Sequence, residues 1–279
     1  MLGAAGCARG APGQTAATSV ALPRLDQQSG KLVPGTGTVA AQMTLAINAI
    51  DSASSSPVEL AQAALTEELA TATLERAPAG ARRSAVGLMS GPAARAMRTD
   101  LDAASALGAI AAPANPRLPS WRIVRPPPPL TLLGYFVGAQ AQYRIPWQYL
   151  AAIEFVETRF GRVQGTSTAG AQGPMQFLPS TWRQYGHGRI DDPRGAILAA
   201  ARLLVADGAH TDMARALFDY NNSDAYVRAV SDYAARMRAD PRAYYGYYLW
   251  QVLFHQTSGD VILPEGYPTA RPIPAPLGR

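Results

Sequence analysis

Apolar residues recur every three or four positions through most of the chain, the spacing that gathers them on one side of an α-helix. In the first part of the chain this spacing predicts helices over 38–50, 57–77 and 91–110. In the second part it predicts helices at about 131–143, 146–160, 179–186, 193–207, 212–220, 223–238 and 242–255. No convincing run of alternating apolar and polar residues marks a strand. The pattern therefore predicts a mainly α fold.

Changes in composition divide the first half of the chain. Residues 1–36 are rich in Gly, Ala, Ser, Thr and Pro and lack periodicity, which predicts a disordered leader. Residues 37–112 form a helical N-terminal region, in which Pro57 after a serine run suits a helix start. No catalytic constellation stands out in this region, which favours a packing or spacer role.

A proline-rich segment at 113–130 separates this region from the rest of the chain. It contains four consecutive prolines, which impose an extended polyproline conformation on the linker. Trp121 and Ile123 within it indicate that part of the linker lies on a neighbouring surface. Residues 131–256 then form one domain, and 257–279, rich in Pro and Gly, read as an extended C-terminal tail.

The charge and the single cysteine limit the partners that this chain could have. The 279 residues carry a net charge of +5, which favours an anionic partner such as nucleic acid, anionic lipid or a cell-wall polymer. Because no Lys/Arg-rich run is present, we expect no nucleic-acid binding. Cys7 follows small residues, as at the end of a bacterial lipoprotein signal, and would then be lipidated; the alternative is a chance cysteine. No apolar run reaches the length of a membrane span.

The helix predicted at 146–160 carries two glutamates, and the helical spacing separates their environments. On a helical wheel, Glu157 lies roughly 65° from the centre of the apolar face, and Glu154 about 125° from it. Partial desolvation at the apolar boundary would raise the pKa of Glu157, so that it could act as a general acid. Glu154 is predicted to face solvent. The alternative is that both are ordinary surface glutamates.

A glycine-rich segment, 165-GTSTAGAQGPMQFLPSTW-182, follows this helix. Its glycines permit tight turns and a close approach of the backbone to a ligand. A compact loop with few, specific polar groups is typical of a sugar-binding site, although a glycine-rich connector would look similar. In the first interpretation, serine and glutamine side chains bind N-acetyl and hydroxyl groups, and Met175 provides an apolar floor.

Four pieces of sequence occur in an order that is more specific than any one of them. They are 156-VET-158, 167-STAGAQGPMQ-176, 179-PST-181 and 219-DYN-221. This order resembles the soluble lytic transglycosylases, peptidoglycan enzymes of the lysozyme-like superfamily, and in particular those of high-GC Gram-positive bacteria. The resemblance covers about 140–235. It implies a lysozyme-like transglycosylase domain, preceded by the helical N-terminal region and the linker.

The resemblance also implies roles for individual residues. Glu157 matches the catalytic acid of the family, with Thr158 in place of the commoner serine. The substrate-binding positions of the family correspond to Ser167, Met175, Gln176, Tyr220 and Asn221. The chain departs from the family pattern at Pro174, where leucine is usual, and at Asn222-Ser223, where Ala-Gly is usual. Neither a cofactor nor a metal is implied, and the expected partner is the glycan strand of peptidoglycan.

The activity implied is cleavage of the β-1,4 bond between N-acetylmuramic acid and N-acetylglucosamine by one carboxyl group, giving 1,6-anhydro ends outside the cytoplasm. A lysozyme-like hydrolase often uses a second carboxylate as a base or nucleophile. Asp219 is the best candidate for it, whereas Asp192 is better explained as a helix cap. Two alternatives remain, a hydrolytic muramidase on the same fold and a non-catalytic peptidoglycan-binding protein.

Overall fold

A computed structural model describes residues 38–275, together with the backbone of two short strands that precede them. These strands, β1 (Arg24–Leu25) and β2 (Leu32–Val33), pair antiparallel. Most of the predicted leader, including Cys7, lies outside the described residues. Between residues 38 and 275, no helix is both long and apolar enough to cross a membrane.

The N-terminal region consists of four helices, of which the sequence predicted three. They are α1 (Val39–Asp51), α2 (Pro57–Arg76), α3 (Ala79–Gly87) and α4 (Gly91–Ile110). Helix α2 begins with a capping box, in which Ser56 and Glu59 satisfy each other's backbone N–H groups. The sequence did not predict α3, because its nine residues are mostly alanine, glycine and arginine and show little apolar periodicity. The four helices surround a core that includes Met43, Ile47, Leu69, Leu74 and Met97.

The linker is attached to the rest of the molecule. Strand β3 (Arg122–Ile123) pairs antiparallel with β4 (Val163–Gln164). Strand β4 follows the helix that carries Glu154 and Glu157, called the glutamate helix below. Ile123 is buried. The indole of Trp121 packs against Gly165, where an added Cβ atom would lie 2.9 Å from Cδ1 of Trp121. The two apolar residues of the linker therefore hold it against the loop that follows the glutamate helix.

Seven helices build the second part of the described chain, close to where the sequence placed them. They are α5 (Pro129–Tyr143), α6 (Trp147–Thr158), α7 (Pro179–Tyr185), α8 (Pro193–Ala206), α9 (Met213–Asn221), α10 (Asp224–Ala239) and α11 (Ala243–Leu249). Asp192 caps α8, as predicted, by accepting a hydrogen bond of 2.6 Å from the backbone N–H of Gly195. Ser223 caps α10 in the same way.

The end of the chain differs from the prediction. The last helix stops at Leu249, not at 255, and the segment predicted as a tail contributes two strands to a sheet. Strands β5 (Val252–Phe254), β6 (Val261–Leu263) and β7 (Ile273–Pro274) form this antiparallel sheet. Strands of two or three residues are too short to show an alternating pattern. The sheet lies on the N-terminal helices through Ile262 and Ala275.

Buried charges join the N-terminal helices to α10 and α11. The guanidinium of Arg236 donates a 2.7 Å hydrogen bond to the carboxylate of Asp51. The hydroxyl of Tyr247 donates to Asp100, whose side chain is completely buried. Burial raises the pKa of Asp100 to about 6. Because polar groups in such surroundings are costly unless paired, this interface fixes one arrangement of the two parts.

Helix α2 reaches the end of α11 through two further carboxyl groups. Glu67 accepts a 3.1 Å hydrogen bond from the indole N–H of Trp250, and Glu68 accepts one of 2.7 Å from the backbone N–H of Gln251. The Trp250 ring in turn lies under the guanidinium of Arg159, 5.5 Å from its centroid. Since Arg159 directly follows α6, Trp250 links the N-terminal region to the end of this helix.

Candidate active site

Glu154 occupies a position opposite to the one that the sequence predicted. Its side chain is completely buried rather than facing solvent, and neither carboxyl oxygen has a hydrogen-bond partner among the described residues. A Cβ atom on Gly161 would lie 3.8 Å from its Oε1 atom. Burial raises the pKa of Glu154 well above its ordinary value.

The helical wheel failed at Glu154 because α6 has no solvent-facing side along most of its length. It is the central helix of this part of the molecule and packs against α5, α8, α10 and α11. All residues from Leu150 to Phe155 are buried as a result. A wheel assumes one buried face, and this assumption does not hold for a helix that is enclosed by its neighbours.

Glu157 lies one turn further along and is partly exposed. Burial raises its pKa to about 7, against the opposing influence of the neighbouring Tyr226 hydroxyl and Asn221 amide. The Tyr226 hydroxyl is itself buried. A pKa in this range suits a group that must donate a proton near neutral pH.

The chain turns sharply after α6 and is fastened to the glycine-rich loop. Arg159 and Phe160 adopt left-handed conformations with φ of 54° and 61°, and Gly161 follows with φ of 78°. The Thr158 hydroxyl donates a 2.6 Å hydrogen bond to the Pro174 carbonyl and accepts one of 2.9 Å from the Gly161 N–H. The residue after the candidate acid thus links the helix end to the loop.

The glycine-rich loop is held in a conformation that requires glycine at position 173. Gly173 has φ of 75°, and a Cβ atom on it would lie only 2.1 Å from the backbone oxygen of Ile190. Gln176 also has a positive φ, 48°, and its side-chain amide donates a 3.0 Å hydrogen bond to the Gly173 carbonyl. Strained conformations of this kind often occur at functional sites.

Three further residues that the sequence predicted for the site, Ser167, Met175 and Tyr220, stabilise the glycine-rich loop or lie within it. The Ser167 hydroxyl accepts a 3.0 Å hydrogen bond from the Ala171 N–H, which closes one turn. The Tyr220 hydroxyl donates a 2.7 Å hydrogen bond to the Met175 carbonyl. The Met175 side chain is completely buried, and its role as an apolar floor for the substrate stays a prediction. The Met175 side chain points towards the core, whereas the next side chain, Gln176, is partly exposed.

The structure brings Glu157 together with Asn221, Tyr220 and Tyr226 from the junction of α9 and α10. Both glutamates of α6 act electrostatically on Tyr220 and raise its pKa well above the ordinary value, after the larger effect of burial. The sequence missed Tyr226, because a tyrosine three residues after the cap of a helix is a common core residue. Within residues 38–275, no three His, Cys, Asp or Glu side chains cluster as a metal site requires.

Residues 134–240 match the family model of the transglycosylase SLT domain. This segment is a transglycosylase SLT domain. Searches of curated proteins and of solved structures found no match to the chain. The SLT domain begins within α5 and ends with α10, so it contains both glutamates, the glycine-rich loop and Tyr226. The four N-terminal helices and the C-terminal sheet lie outside it.

The SLT domain indicates a transglycosylase-type enzyme that acts on glycans, and it supports activity on peptidoglycan. Its fold is mainly α and lysozyme-like, as the sequence predicted. Asp219 does not resemble a second catalytic carboxylate, because it forms an ion pair of 2.9 Å with Arg215 on the surface of α9. The carboxyl groups that remain at the centre of the domain are those of α6.

Proposed function

We propose that the protein is a lytic transglycosylase that cleaves the β-1,4 bond between N-acetylmuramic acid and N-acetylglucosamine, with Glu157 as its acid and base. The observation that carries this proposal is the contrast between the two glutamates of α6. Glu157 reaches the surface and has a pKa of about 7, whereas Glu154 is sealed inside the domain. Of these two glutamates, the partial exposure of Glu157 supports it as the one that exchanges a proton with a glycan.

The reaction can proceed with this single carboxyl group. Protonated Glu157 donates its proton to the glycosidic oxygen as the bond from that oxygen to C1 of the muramoyl sugar breaks. The neighbouring acetamido oxygen of the substrate stabilises the positive charge at C1. The Glu157 carboxylate then takes the proton of the C6 hydroxyl, whose oxygen bonds to C1. A 1,6-anhydro end results, the acid is regenerated, and no water is consumed.

The residues around Glu157 support this cycle in different ways. Tyr220 and Thr158 hold the glycine-rich loop through its carbonyl groups at Met175 and Pro174, which fixes the backbone that bears Gln176. Asn221 is exposed beside the acid and is suited to contact the sugar, together with Gln176. Preorganisation of this kind places polar groups correctly before the substrate arrives.

The site of action would be outside the cytoplasmic membrane, where peptidoglycan lies. A lipid anchor at Cys7 remains part of this proposal, and it rests on the small residues before that cysteine. The net charge of +5 favours attraction to the anionic polymers of the cell wall.

The first test compares two isosteric substitutions on the same helix, Glu157→Gln and Glu154→Gln. We expect Glu157→Gln to lower the rate of peptidoglycan cleavage by at least roughly 100-fold, because general acid–base catalysis contributes about 10²–10⁴-fold. Glu154→Gln should retain most of the activity, since its side chain is completely buried and out of reach of a glycan. Circular dichroism and thermal unfolding would verify that both variants are folded.

Mass spectrometry of the released fragments then identifies the reaction. We expect 1,6-anhydro ends; reducing ends would instead identify a hydrolytic muramidase. If folded Glu157→Gln protein cleaves at the wild-type rate, the assignment of the acid is wrong. Wall binding without any released fragment by the wild-type protein would show that the protein is not catalytic.

A further inference from the structure

A groove of roughly 1030 Å³ lies between the linker and the SLT domain. Its linker wall carries Ser120, Arg122, Val124, Arg125, Pro126 and Pro127. The opposite wall belongs to the SLT domain and includes the glycine-rich loop and the segment 189–193. The groove forms because β3 pairs with β4 and because Trp121 packs against Gly165. It is large enough for a short peptide or a small oligosaccharide.

The charged side chains of the groove are mostly positive. Three of its lining residues are arginines, at 122, 125 and 189, and one is an acid, Asp191, so its walls carry a net charge of +2. Arg189 is paired with Asp191, and Arg125 is paired with Glu265. Arg122 is exposed and has no ion-pair or hydrogen-bond partner for its guanidinium within residues 38–275. The groove therefore offers at least one arginine that is ready to bind an anion.

The groove adjoins the proposed catalytic centre. Gly161, Gly173 and Pro174 line it, and the same stretch of backbone is fastened to Thr158, the neighbour of Glu157. Glu157 itself does not line the groove. A polymer whose backbone is cleaved at Glu157 could therefore place a branch in the groove while its main strand remains at the acid.

Peptidoglycan has such a branch, and its chemistry matches the groove. In the intact polymer, the lactyl carboxyl of the muramoyl sugar is consumed in the amide bond to the stem peptide. The sugars are then uncharged, and the free carboxylates belong to the peptide. Arginine binds carboxylates through two parallel hydrogen bonds, which gives both strength and orientation.

From this match we infer that the groove between β3 and the SLT domain binds a carboxylate of the stem peptide and that Arg122 is its main contact. This inference rests on the proposed function, because it takes peptidoglycan to be the substrate. It assigns to the linker, which lies outside the SLT domain, a part in recognising the peptide. The linker would favour strands that bear peptides over bare glycan.

Steady-state kinetics with two soluble substrates test the inference. One substrate consists of uncross-linked glycan strands that carry their stem peptides; the other consists of the same strands after the peptide carboxyls have been converted to amides. We expect the amidated strands to raise KM of the wild-type protein about tenfold with little change in kcat, as the loss of a charged hydrogen bond predicts. Arg122→Ala should show the raised KM on both substrates.

The matched control is Arg98→Ala, which removes an exposed arginine from α4, away from the groove. It should behave as the wild-type protein does on both substrates. Because the Arg122 side chain is exposed and makes no contact that the fold needs, Arg122→Ala should retain the wild-type melting temperature. A second variant, Arg189→Ala, should raise KM less, since Asp191 already occupies its guanidinium.

Three results would overturn the inference while leaving the proposed function intact. The first is equal KM values of Arg122→Ala and wild-type protein on native strands. The second is an increase in KM on Arg122→Ala that is as large on amidated strands as on native strands. This result would mean that the groove binds sugar or a phosphate-bearing polymer. The third is a fall in kcat alone. If the proposed function itself were wrong, the wild-type protein would cleave neither substrate or would release reducing ends in place of 1,6-anhydro ends.

Discussion

The raised pKa of Glu157 predicts that the proposed catalytic acid destabilises the folded protein, and Glu157→Gln measures this cost. Below pH 4.5 the side chain is protonated in both the folded and the unfolded chain. Between pH 4.5 and about 7 the unfolded chain releases the proton while the folded protein retains it. The wild-type protein therefore loses stability as the pH rises through this interval.

The difference between the pKa values of Glu157 in the unfolded and folded protein determines how much unfolding free energy is lost. A difference between an ordinary pKa of 4.5 and a folded value of about 7 corresponds to roughly 3 kcal/mol of unfolding free energy. Glutamine has no proton to lose, so Glu157→Gln should gain at most this amount over the wild-type protein at pH 8 and almost nothing at pH 4. For a protein of this size, that gain corresponds to a rise in melting temperature of roughly 6–12 °C.

Differential scanning calorimetry of both proteins at pH 4, 6 and 8 would measure the difference. Glu59→Gln is the control, because Glu59 caps α2 at an exposed position and its hydrogen bonds with Ser56 lower its pKa. That variant should show no gain at any pH and a small loss at pH 8. If Glu157→Gln gains equally at pH 4 and pH 8, the reasoning from desolvation is refuted.

Other substitutions probe the supports of the site. Thr158→Val should reduce activity at least tenfold and cost about 1–3 kcal/mol, because two hydrogen bonds are lost, whereas Thr158→Ser should restore both activity and melting temperature. Gly173→Ala should lower activity and melting temperature together, since the new Cβ meets the backbone oxygen of Ile190 at 2.1 Å; a melting curve like that of the wild type would contradict this contact. Arg236→Leu should destabilise the protein by roughly 3–5 kcal/mol, because it leaves Asp51 unpaired; chemical denaturation at pH 7 would show this, and an unchanged midpoint would refute it.

Helix ends and the candidate acid were predictable because they depend on local chemistry. Asp192 and Ser223 cap their helices through hydrogen bonds to residues only three positions away, and Pro179 starts α7 through its own fixed geometry. Glu157 was found through the helical wheel and through the motif in which it stands. In each case the information lies within a few residues of sequence.

Features that depend on distant packing were not predictable. Glu154 was misplaced because the helices that enclose α6 come from the whole second half of the chain. The sheet at the C-terminus was missed because its strands gain their stability from one another and from α2 and α4, not from an alternating pattern. The groove beside Arg122 exists only because β3 pairs with a strand about forty positions later.

The buried charges between the N-terminal helices and α10 determine whether the SLT domain is a portable module. Arg236 lies inside the SLT domain, but its carboxylate partner Asp51 lies outside it, and so does Asp100, the partner of Tyr247. A gene fusion that transferred residues 134–240 alone to another protein would carry over a buried cation without its counterion. We therefore expect residues 134–240, expressed alone, to be less stable than the same residues together with the helices before them.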